Sequence, residues 1–323
     1  MIYKINQGYE RYTNIMIEES KRTYCTLNSS YRHRLTYSFD KVGFYSNLNN
    51  LILGMAFCLK YHLQFRIYSR DYSYFQGKGW QYVFQPFCPE TTNPFFKRFN
   101  YRSNFYFTKR RWIHMFFHDV YQQLTHDYLM DNAFMESRTF WFANEHYCIP
   151  ELGVDGDLRD LCKVLINIVY QFNADFLARI DAVKNTIDLP KEYVGLHIRR
   201  GDKIIERAFN DINDYIKKAM EVTDIRHAFV ATDDYAVIEE LRVRYKEWSF
   251  YTLTQPDERG FVYTPNTTAD FDKNLVKMFA FMDILAKSTH FVGTVSSNPG
   301  MFLGMWMDRE RVHYVDSSEW IIL

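Results

Sequence analysis

The second half of the chain alternates short apolar runs with amphipathic ones, and that rhythm leaves few folds open. Tyr193–Ile198, His227–Ala231, Phe250–Leu253, His290–Val292 and Val312–Val315 have the length and residue types of buried strands. Between them, Ile212–Val222, Tyr235–Tyr245, Asn274–Ala286 and Pro299–Met307 carry helical spacing, with Leu275, Met278, Met282 and Leu285 on one stripe. Strands alternating with helices predict a parallel sheet covered on both faces. The first half is less regular. Leu48–His62 reads as a helix, Phe65–Tyr68 as a strand, residues 70–151 as loops and short helices, and Leu158–Asn185 as one long amphipathic pattern. Asp188-Leu189-Pro190 ends that pattern. The expectation is two α/β domains, 1–185 and 186–323, a fitting number for 323 residues.

Charge and cysteine content narrow the function classes. Lys plus Arg number 39 and Asp plus Glu also 39, so no bulk field draws this chain to a nucleic acid. Any anion site has to be local, and the short basic run Lys109-Arg110-Arg111-Trp112 reads as a solvated face. The five cysteines are odd in number and form no C-x-x-C pair, which predicts reduced thiols rather than a disulfide frame or structural zinc. The longest apolar run, Leu51–Leu59, is too short to cross a bilayer. Met1–Glu10 carries no apolar signal core, so the expected location is cytoplasmic.

In open α/β sheets, ligands bind at the carboxyl ends of strands where the strand order reverses. Three strand ends in the second half are polar. After the first comes His197-Ile198-Arg199-Arg200-Gly201-Asp202-Lys203. Two guanidinium forks there suit the oxygens of a diphosphate, with Lys203 as a point charge and Asp202 able to fix an arginine. After the second comes Thr232-Asp233-Asp234. After the fourth comes Gly293-Thr294-Val295-Ser296-Ser297-Asn298-Pro299-Gly300, whose backbone N–H groups and hydroxyls suit an anion at a helix start. Two D-x-D triplets, Asp155-Gly156-Asp157 and Asp270-Phe271-Asp272, could bridge a cation to a diphosphate, but the first precedes a helix and reads as its cap. The spacing of His114, His118, His126 and His146 is compatible with a metal cluster, but they read as core or surface residues; with Trp112, Trp141 and Phe142 they are candidates to line a pocket.

These residues together resemble the α1,6-fucosyltransferases, bacterial nodulation and eukaryotic core enzymes alike, within the protein O-fucosyltransferase superfamily. Val194–Lys203 is similar to that family's H-x-R-R-x-D-K signature. Ala208-Phe209, Tyr215, Ala231–Asp234, Met282–Ile284, Ser296-Ser297, Gly43–Gly54 and Gly79–Phe84 support it. The resemblance implies a GT-B fold, with two Rossmann-like domains facing across a cleft. It also implies a GDP-fucose donor, a glycan acceptor, inversion at the anomeric carbon and no metal. By motif match, His197 and Asp283 would contact guanine, and Arg199 would hold the β-phosphate, with Ser296 and Ser297 beside it. Tyr215 would line the donor pocket, Asn47 would stand near the reacting sugar, and Glu206 would be the general base, with Asp202 as its runner-up. The same fold using GDP-mannose or a deoxysugar nucleotide such as rhamnose, or a non-catalytic nucleotide-sugar-binding protein, are the alternative readings.

Overall fold

The computed structural model describes residues 2–39, 42–93, 111–130, 144–200, 210–260 and 271–322. The chain divides into two compact units, 1–173 and 174–323.

The first unit opens with helix α1 (Ile2–Ser30), and among its described residues a sheet of three parallel strands, β1 (His33–Ser38), β2 (Leu63–Tyr68) and β3 (Asp127–Met130), runs in the order β2-β1-β3. Helix α2 (Phe44–Tyr61) connects β1 to β2, and α3 (Arg111–Thr125) precedes β3. A hairpin, β4 (Tyr147–Ile149) and β5 (Val154–Gly156), leads into α4 (Leu158–Val169). Helix α2 is buried nearly all round its circumference because the sheet lies on one side and α4 on the other. Asn28 pins α1 to the sheet: its amide donates to the Phe65 carbonyl at 3.0 Å and accepts the Phe65 N–H at 2.7 Å.

The second unit contains α5 (Ala174–Lys184), β6 (Val194–Ile198), α6 (Ile212–Val222), β7 (His227–Thr232), α7 (Ala236–Arg244), β8 (Ser249–Tyr251), α8 (Phe271–Lys287), β9 (His290–Gly293), α9 (Asn298–Trp306) and β10 (Val312–Tyr314). Among the described residues its sheet has five strands, all parallel, in the order β10-β9-β6-β7-β8. Counted from β6, that is 5-4-1-2-3, the order of one dinucleotide-type half-sheet with its reversal between β6 and β9. Central β6 presents Val194, Leu196 and Ile198 with no exposed surface. Gly195 lets α8 press against it, since a Cβ there would lie 2.8 Å from the Ser288 hydroxyl.

Two expectations from the sequence change. Leu158–Asn185 is not one helix but two, α4 and α5, separated by Tyr170–Asn173. The break has a tertiary cause. Gln85 N–H donates to the Gln171 carbonyl at 2.8 Å, and Asn173 N–H donates to the Val83 carbonyl at 2.9 Å. The Phe84 and Phe172 rings stack at 5.1 Å. These contacts compensate for interrupting the helical ladder. The division of the chain accordingly falls at 173/174 rather than 185/186, because α5 packs on α8. Phe176 lies edge-on to Phe279 at 6.3 Å, and Arg179 forms an ion pair with Asp272.

Candidate functional site at the strand-order reversal

The loops leaving β6 and β9 flank the reversal. Arg199 and Arg200 follow β6 directly, and both are half-buried. The Arg200 N–H donates to the Asp233 carboxylate at 2.7 Å, and Asp233 stands just past neighbouring β7. That bond fastens the two strand ends together and fixes the backbone carrying both arginines. The Arg200 guanidinium donates to the Asn210 carbonyl at 2.9 Å, so part of its donor fork is spent inside the protein. Tyr215 on α6 is buried at 3% exposure. Burial pushes its phenol up to about 12, with Arg200 pulling the other way, so its hydroxyl keeps its proton at neutral pH. His197, one residue inside the end of β6 and partly buried, is in register with Ala231.

On the β9 side, Ser297 caps α9. Its hydroxyl accepts the Gly300 N–H at 3.1 Å and donates to the Thr294 carbonyl at 2.9 Å, at 1% exposure. Its place beside a diphosphate is therefore corrected: the buried hydroxyl is consumed in starting the helix. Ser296 is half-buried. The N–H groups of Val295 and Ser296 donate to the carboxylate of Asp316 at 2.8 and 3.1 Å. These donors, expected to face an incoming anion, are already satisfied by the protein's own carboxylate.

Asp283 is not brought to this end of the sheet. It pairs with Lys184 and, at 3.1 Å, with Lys287, beside Tyr193, the residue before β6. Helix α8 runs antiparallel to the strands, so its last turn lies at their amino edge. Five residues of β6 put about 16 Å between that edge and Arg199. Asn47 is also corrected, because it has no exposed surface. Its amide donates to the Tyr72 hydroxyl at 3.1 Å, and its carbonyl accepts from Tyr37 at 3.0 Å, which makes it an internal bracket after β1. Asp202, Lys203 and Glu206 lie outside the described residues, as do Gly201, Ala208, Phe209, Asp270, Trp141 and Phe142.

Other candidates have structural roles. Asp157 caps α4 in a reciprocal capping box with Asp160, as the sequence suggested, and Asp155 pairs with His146 at 2.7 Å. His126 packs edge-on against His33 at 4.9 Å. Among the described residues, no three His, Cys, Asp or Glu side chains gather as a metal cluster, and no helix is long and apolar enough to cross a membrane. The sequence reading missed Asn210 and Asp316 and took Asp233 only as part of a polar strand end. The available signal was position: Asp233 and Asp316 each stand within two residues of the carboxyl end of a strand, beside a loop whose backbone N–H groups need an acceptor.

Comparison with known proteins bears on this half of the chain. Residues 161–299 match the family described as α-(1,6)-fucosyltransferase N- and catalytic domains. That span holds β6 through the start of α9, with both loops of the reversal. Over that span the chain is similar to the α-(1,6)-fucosyltransferase family. An α-(1,6)-fucosyltransferase of Caenorhabditis elegans is 29% identical over a match covering 41% of this chain and 25% of that protein. The match thus spans about a quarter of that relative's length. Among solved structures, the fucosyltransferase NodZ from Bradyrhizobium superposes with a TM-score of 0.51 at 13% identity, covering 85% of this chain and 94% of its own. Arabidopsis thaliana FUT1 superposes with a TM-score of 0.51 at 10% identity, covering 92% and 76%. At such identities it is the fold that is shared, a mixed α/β, GT-B-like architecture with parallel sheets.

Proposed function

We propose that this chain transfers L-fucose from GDP-fucose to a glycan hydroxyl with inversion, without a metal, in a GT-B arrangement whose two Rossmann-like domains face across a cleft. One observation carries the reading: a diarginine strand end and a serine loop stand on adjacent strands at the reversal of a 5-4-1-2-3 parallel sheet, where such sheets take nucleotides. A related NodZ α-1,6-fucosyltransferase structure was soaked with GDP-fucose, which supports the same donor here.

In this reading, the acceptor oxygen forms its bond to the anomeric carbon as the bond from that carbon to the β-phosphate oxygen breaks. The electron pair leaves with GDP. The acceptor's proton passes to a carboxylate, for which Glu206 is the candidate, with Asp202 steadying the arginines. Negative charge grows on the departing phosphate, so donors already aimed at it stabilise the transition state more than the ground state. Arg199 fills that role, Ser296 adds a hydroxyl, Lys203 adds charge and His197 faces the base. Arg200 shapes the loop through Asn210 and Asp233 as much as it adds charge.

The test is Arg199→Ala, assayed with GDP-fucose and a glycan acceptor in the presence of EDTA. The wild type should turn over under those conditions, and the variant should keep its thermal transition and lose about 10²–10³ in kcat. Turnover equal to wild type would remove the arginine from the reaction, and dependence of the wild type on added metal would replace the proposed chemistry.

A further inference from the structure

Asp316 follows the edge strand β10, and nothing in the family signature points to it. Its two carboxylate oxygens accept the N–H groups of consecutive residues, Val295 at 2.8 Å and Ser296 at 3.1 Å, in the loop that enters α9. The ladder between β10 and β9 continues to that point, since Val315 N–H donates to the Gly293 carbonyl at 3.0 Å. A mirrored arrangement holds the other loop of the reversal, where Asp233, past β7, accepts the N–H of Arg200. Each loop is thus fastened by an acid from the strand on its outer side.

We propose that Asp316 is a positioning residue for the nucleotide diphosphate. By holding the Val295–Ser296 backbone it fixes the direction of the Ser296 hydroxyl and the entry of α9, and it does so without touching the donor. This rests on the GDP-sugar reading given above. Three features favour a fixed staple over a stand-in that the ligand displaces. Both carboxylate oxygens are used, and a carboxylate accepting backbone N–H groups makes the stronger kind of hydrogen bond. Ser297, next along the chain, is locked in its own cap. The Tyr314 hydroxyl donates to the Gly300 carbonyl at 3.2 Å, tying β10 to the first turn of α9 by a second route. The Tyr215 phenol lies close enough to feel the charges of both Asp316 and Arg200, which places the staple at the edge of the same site.

The experiment compares wild type, Asp316→Asn and Asp316→Ala by calorimetric titration with GDP and by steady-state kinetics against GDP-fucose and acceptor separately. Asp316→Asn keeps size and one acceptor oxygen, so it decides the matter if Asp316→Ala fails to fold. Losing charged hydrogen bonds that orient the loop should weaken GDP binding and raise the donor KM by about 10- to 100-fold. The KM for acceptor should stay put, a split that general loosening of the fold does not produce. Wild type that binds GDP while Asp316→Asn binds it equally well overturns the positioning role alone. Tighter binding by Asp316→Asn also overturns it and makes the carboxylate a competitor of phosphate. Wild type that binds no GDP overturns both this role and the reading beneath it.

Discussion

At the residue scale, burial decides what a side chain is free to do. Ser296 and Ser297 are identical in sequence chemistry, yet one is half-buried beside the reversal and the other is a closed helix cap. Tyr215 makes the point quantitatively. Its folded-state value of about 12 stands above the ordinary 10.0, so the folded protein holds that proton more tightly than the unfolded chain does. The resulting stability is complete below pH 10 and is lost as pH climbs from 10 towards 12, an effect of about 2–3 kcal/mol for a shift of this size. Tyr193 is pushed up to about 12 as well and contributes in the same direction. Urea unfolding at pH 9 and pH 11 should show the decline in wild type and a visibly shallower one in Tyr215→Phe. An unchanged slope in the variant would mean that the phenol ionises as easily in the folded protein as outside it.

At the element scale, α9 depends on a close approach that only glycine permits. A Cβ on Gly300 would lie 2.0 Å from the Thr294 carbonyl oxygen, a backbone atom held by the Ser297 cap. Alanine has the better intrinsic helix propensity, by about 1 kcal/mol. The clash outweighs that gain, and Gly300→Ala should lose about 3 kcal/mol in chemical denaturation. Stability equal to or above wild type would show that the turn yields and that propensity governs. The junction at Tyr170–Asn173 carries the opposite lesson. Its sequence continues a helical period, and the chain leaves the helix because Val83 and Gln85 offer backbone partners and Phe84 offers a ring to stack on. No window of local sequence contains those partners.

At the scale of the whole molecule, the second unit encloses its own sheet and core, from Val194 on β6 to Val292 on β9. The fragment 174–323 should therefore unfold cooperatively in isolation, which thermal circular dichroism reads. A fragment that is unfolded would mean the first unit is needed to complete that core. How much of this was legible in the sequence follows from range. Each strand and helix from β6 to β10 was legible to within a few residues, because apolar periodicity reports which face of a short segment is buried. The cluster at the end of β6 was legible because charges directly after a buried strand have few structural uses. The places of Asp283, Asn47 and Ser297 were not. A motif fixes the order of residues along the chain, whereas the direction in which a helix runs against its sheet fixes which end of the sheet a side chain reaches. By itself the sequence determined the strand–helix alternation and the location of the two arginines. Only tertiary structure decided the 5-4-1-2-3 strand order, the break before α5 and the acids that fasten the two loops, because each depends on hydrogen bonds between segments far apart in the chain.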